Sequence, residues 1–135
     1  MEYHEFITHV QSLSQSNSRE EAELATRATL ETIKERIAES DIQDLAAQLP
    51  QELSDYLQAQ TQASIQSFHL QEFIQRVSQK EHIEPTTTAI HVRAVFAVLQ
   101  NAIKPEIFSR FHAHFSHDYE ELFPAPSTSE VGNFS

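Results

Sequence analysis

The sequence has no cysteine, and its one glycine is Gly132, near its end. Without cysteine there is no disulfide, no thiolate metal ligand and no thiol nucleophile, which fits a reducing cytoplasm. Loops that cradle phosphate need glycine for positive φ and close backbone approach, so Walker-type and dinucleotide-binding loops are excluded. A G-x-S-x-G elbow is excluded for the same reason. Tight two-residue hairpins also favour glycine, so the chain reads as all-helical. Long apolar runs are missing too, and no stretch approaches the ~20 residues of a membrane span. The N-terminal MEYHEFITHV is acidic and amphipathic, unlike a signal peptide. Positive charge is scarce: 9 Lys and Arg stand against 20 Asp and Glu, a net charge of −11. A nucleic-acid partner needs basic residues to replace its counterions, and an anionic membrane attracts basic ones, so neither is expected.

What is present is a near-repetition. YHEFITHV, 3–10, matches LQEFIQRV, 70–77, at Glu5/Glu72, Phe6/Phe73, Ile7/Ile74 and Val10/Val77. Farther on, RATLETIKERI, 27–37, lies over RAVFAVLQNAI, 93–103, the offset having shortened from 67 to 66. Ile42, Leu45, Leu49, Leu53, Tyr56 and Leu57 then meet Phe108, Phe111, Phe115, Tyr119, Leu122 and Phe123. An internal repeat of this period is long enough for a four-helix unit.

Local signals place the helices. Ser18 caps, with Glu21 three residues on. Pro85 and Pro105 suit first helical positions, where a missing N–H costs nothing. Asp41, Pro50 and Ser116 open further segments. The expected helices cover about 3–13, 19–38, 41–48, 50–59, 70–81, 85–103, 105–114 and 117–123. The organisation is thus a first helical repeat at 1–57, a Gln/Ser/Thr-rich linker or helix extension at 58–69, a second repeat at 70–123, and a disordered tail at 124–135. The helix 19–38 carries one apolar stripe, Leu24, Ala28, Leu30, Ile33 and Ile37. The stretch from Ala89 to Ile103 is apolar almost all round, which predicts a central, buried helix. The expected fold is a compact all-α bundle of about eight helices, built from two pseudo-repeated four-helix units.

YHEFITHV, SREEAELATRATLETIKERI and DLAAQLPQELSDYL together resemble the bacterial domain-of-unknown-function family 2267. The resemblance covers residues 3–57 closely and 70–123 loosely. It implies duplicated helical units in soluble bacterial proteins. The family carries no established reaction, so no catalytic residue transfers. The second unit departs from it where LAAQLPQEL is replaced by FHAHFSHDY, 111–119.

Two constellations stand out. Glu5 with Arg27, and Glu72 with Arg93, occupy matched positions and suggest an intra-repeat ion pair in each unit. Arg93 lies in the most apolar helix, and a buried arginine must be paired. The segment HAHFSHD offers His112, His114, His117 and Asp118, ligand types suited to zinc, nickel or copper. His112 and His114 point to opposite helix faces, whereas His114, His117 and Asp118 converge if the helix continues. Against a site role, these histidines match Ala46, Gln48 and Gln51 in the first unit.

No nucleophile, acid–base pair or cofactor motif emerges, so the expectation is a non-enzymatic cytoplasmic module without cofactor. A protein partner fits it best, because residues 1–67 hold 12 acids against 4 Lys and Arg and suit a basic surface. Self-association is left open. The alternative is a small-ligand or metal-binding domain, with its site between the repeats or at His112–Asp118.

Overall fold

The computed structural model describes residues 1–37, 39–58 and 68–123. Most of the expected linker and all of the expected tail lie outside them. Among the described residues there are seven α-helices and one 3₁₀ helix, and no strand. They are α1 (Tyr3–Ser14), α2 (Arg19–Arg36), α3 (Glu39–Ala46), α4 (Gln51–Gln58), α5 (Leu70–Glu81), α6 (Pro85–Ala102), α7 (Pro105–Ala113) and the 3₁₀ helix His117–Leu122. The fold is all-α, as expected.

The caps explain the boundaries. Glu2 and Glu5 form a capping box on α1, with Glu2 N donating to Glu5 Oε1 at 2.9 Å. Ser18 Oγ accepts from Glu21 N at 3.1 Å, and Pro85 and Pro105 open α6 and α7. Helices α1 and α5 end at Gln15 (φ 55°) and His82 (φ 60°), left-handed positions usually given to glycine. Helices α2 and α6 end in extended backbone at Ile37 and Ile103, with φ −122° and −123°.

Helices α2 and α6 lie side by side in the core. Each also crosses to the other half, for α1 packs on α6 and α2 packs on α5. Helix α6 buries Val92, Val95, Phe96, Val98 and Leu99, as its composition predicts. It is not buried all round, because Ile90 is 44% exposed and Arg93 is exposed. Helix α2 is more central than its charge suggests. It buries Thr26, Thr29 and Thr32 besides its aliphatic residues, whereas Leu24 of the expected stripe is 40% exposed. Thr26 and Thr32 donate to the carbonyls of Ala22 and Ala28 at 2.9 and 2.8 Å, which removes the cost of burying those hydroxyls.

The second half supplies an aromatic core. Phe96 touches Phe73, Phe111, Phe115 and Phe123, with ring centroids 5.0–6.0 Å apart. Arg36 of α2 enters beside it, donating to Phe68 O at 3.0 Å with its guanidinium 5.4 Å from the rings of Phe115 and Tyr119. Tyr119 Oη donates to the same carbonyl at 2.6 Å.

Candidate functional site

A buried histidine and a buried glutamate meet where α2, α5 and α6 join. Glu81 is the last residue of α5, held there by the left-handed turn at His82. Thr88 and His91, three residues apart, share one face of α6. Glu21 comes from the first turn of α2. His91 is 1% exposed and Glu81 4%. His91 Nδ1 lies 2.8 Å from Glu81 Oε2, and Nε2 lies 3.4 Å from Glu21 Oε2. Thr88 Oγ1 donates to the other Glu81 oxygen at 3.1 Å.

This arrangement holds a proton. The hydrogen bond to Glu81 raises the His91 pKa most; burial opposes it, and the charges of Glu81 and Glu21 add to the rise. Both ring nitrogens face carboxylate oxygens. The imidazole itself is 1% exposed, with the partly exposed Glu21 side chain on its Nε2 side.

The residues picked out by sequence lie elsewhere. His114 is the C-cap of α7, and its Nε2 is 3.0 Å from Asp41 Oδ2, across the junction with α3. Asp118 turns instead to the start of α5, accepting from Leu70 N at 2.7 Å and from Ser116 Oγ, with His69 3.5 Å away. His117 is exposed. His114, His117 and Asp118 therefore do not converge, and among the described residues no group of three His, Asp or Glu side chains is placed to hold a metal. Helix α7 ends at Ala113 and the backbone is extended at Ser116, which breaks the α-helical spacing that convergence required.

Nor are the expected repeat-internal ion pairs formed. Glu5 serves the α1 cap, and Arg27 Nε bonds Glu31 at 3.1 Å, one turn away. Glu72 bonds Arg76, 2.6 Å away, and Arg93 is exposed. On α6 the buried ionisable residue is His91, about 200° around the helix from Arg93. Other pairs tie the halves together: Arg76 and Lys80 of α5 both reach Glu35 of α2, at 3.0 and 2.9 Å.

Asp118 is a cap supplied from a distance, since His69 gives α5 no side-chain cap. The Leu70 N–H holds its carboxyl down at about 2, with Ser116 adding to the effect. Because this pKa is depressed, the stability it brings is present above the unfolded aspartate value and lost as pH falls toward 2. Asp118→Asn should therefore flatten the acid limb of stability, checked by urea unfolding between pH 5 and pH 2.

Between α3 and α7, beside Asp41, Asp44 and Arg110, the cavity is about 10 Å³, room for one water. A wider open depression of about 310 Å³ lies on α5 against Leu70, Ile74 and Pro85.

Fold and site together define an all-α protein with paired central helices and a buried histidine held between two carboxylates. The chain belongs to the family of uncharacterized conserved proteins DUF2267, whose model matches residues 3–122. No curated protein matches it.

Proposed function

We propose that the protein is a non-enzymatic, cytoplasmic interaction module whose partner is a protein with a basic surface. One observation carries this reading: the first half presents several exposed carboxylates. Glu20, Glu52 and Asp55 are exposed. Arg19 and Arg27 face Glu23 and Glu31 on their own helix, and Arg36 is drawn into the aromatic core. Exposed charge of one sign steers an oppositely charged partner and selects against others. The cavity between α3 and α7 is too small for a ligand at that junction, which supports this reading.

We also infer that the scaffold is a tandem duplication. Matched caps support it: Gln15 and His82 are left-handed at offset 67, and Ile37 and Ile103 share one extended geometry at offset 66.

Affinity capture from native cells, followed by reconstitution with the purified partner, tests the interaction. Replacing Glu20, Glu52 and Asp55 with lysine should weaken binding by about tenfold or more. Wild-type binding should fall as salt rises. Undiminished binding by the lysine variant, or a co-purifying small molecule in place of a protein, would overturn the reading.

A further inference from the structure

We propose that Glu21, His91 and Glu81 form a protonation latch. It fastens the first turn of α2 to α6 while the imidazole carries both protons, and releases it when Nε2 loses its proton.

The fold does not require this cluster. At offsets of 66 and 67, His91, Thr88 and Glu81 correspond to Ala25, Ala22 and Ser14. Ala22 and Ala25 are fully buried and Ser14 is 8% exposed, so the first half closes the matching junction of α1 and α2 without an ionisable group. Burying charge is costly even when it is paired, and well-packed apolar residues often do as well. An ionic cluster placed where small residues suffice adds a response to pH.

The two sides of the imidazole are unequal. The Nδ1 side is short and sealed, with Glu81 also held by Thr88. The Nε2 side is longer, and the Glu21 side chain there is 33% exposed. A neutral imidazole keeps one N–H. Retaining it on Nδ1 spares the buried Glu81 carboxylate the loss of its donor. Nε2 then turns a lone pair toward the Glu21 carboxylate, and attraction becomes repulsion. Glu21 is also part of the start of α2: its Oε1 accepts from Asn17 N at 3.0 Å, and its own N–H donates to Ser18 Oγ. Displacing its side chain loosens that cap.

The titratable groups facing His91 are Glu81 from α5 and Glu21 from α2. The buried faces of α1 and α7 carry none, and the buried Tyr119 of the 3₁₀ helix is committed to Phe68 O. The His91 pKa is raised in the closed state, so closure is favoured at low pH and lost as pH rises through that value. Between the values of the closed and opened states, the open fraction should rise by up to about tenfold per pH unit.

The test is an NMR titration of His91 with hydrogen exchange at Ala22 N–H, which lies in the first turn of α2. In the wild type, opening at Ala22, corrected for intrinsic exchange, should increase with pH along the His91 titration. Glu21→Gln removes the charge at a partly exposed position, and its amide can face either form of Nε2. It should lower the His91 pKa and make opening independent of pH. His91→Gln should likewise abolish the pH dependence; if that variant does not fold, Glu21→Gln decides alone. A Glu21→Gln protein that leaves both the titration and the pH dependence unchanged overturns the latch. So does a His91 pKa below that of free imidazole.

Discussion

Phe96→Ala should destabilise the protein by about 3–5 kcal/mol, the usual range for a fully buried phenylalanine. Phe96 is 0% exposed, and its ring meets four others, from α5, from α7, from Phe115 and from the residue after the 3₁₀ helix. Those rings approach at tilted or edge-on angles, so their mutual contacts are lost with the buried area. Removing the side chain leaves a void walled by aromatic groups too bulky to collapse into it. Leu24→Ala provides the contrast. Leu24 is 40% exposed, and its truncation should cost less than about 1 kcal/mol. Chemical denaturation of both variants compares them directly; equal midpoints would show that α6 does not organise the core.

The second large effect belongs to His91→Ala, at about 3–5 kcal/mol near pH 6, because it strands the Glu81 carboxylate in the interior. Thr88 is then its one remaining donor among the described residues. The double substitution Glu81→Ser with His91→Ala places the first half's residues, Ser14 and Ala25, at the matching positions. It should cost less than His91→Ala alone, by about 1 kcal/mol or more, since no carboxylate is left unpaired. Urea unfolding of the two single variants and the double variant completes the cycle. A double variant less stable than His91→Ala would mean that stranded charge is not what makes the single change harmful.

These residues also mark what a sequence reading reaches. Helix positions were legible because their signals are local: Ser18, Pro85 and Pro105 each open a helix. The start of α3 was less so, lying at Glu39 rather than at Asp41. The final segment follows 3₁₀ spacing, and that withdrew His117 and Asp118 from His114. The ion pairs of Glu72 with Arg76 and of Arg27 with Glu31 stand in the sequence at i,i+4, the spacing a helix favours. Sequence matches between the two halves point instead to the more distant pairings of Glu5 with Arg27 and Glu72 with Arg93. Thr88, His91, Val92, Val95 and Leu99 follow one helical stripe, a local sign that His91, and not Arg93, faces inward. Its partners were not legible: Glu21 lies 70 residues before it, and only the tertiary crossing of α2 with α6 unites them. The three buried threonines of α2 were hidden for another reason. Hydropathy counts a hydroxyl as polar, although bonding to the preceding turn satisfies those of Thr26 and Thr32.

The exchange of partners between halves has a consequence during synthesis. Helix α1 packs on α6 as well as on α2, and α2 leans on α5 as well as on α4, so the N-terminal elements emerge before part of the surface that will shield them exists. Ribosomes add about 5–20 residues per second, so the 66 residues from Arg36 to Ala102 take roughly 3–13 seconds. Throughout that interval Phe6, Ile7 and Val10 have no access to α6. During that time their apolar side chains stay partly open to solvent, the condition under which nascent chains are prone to misassembly.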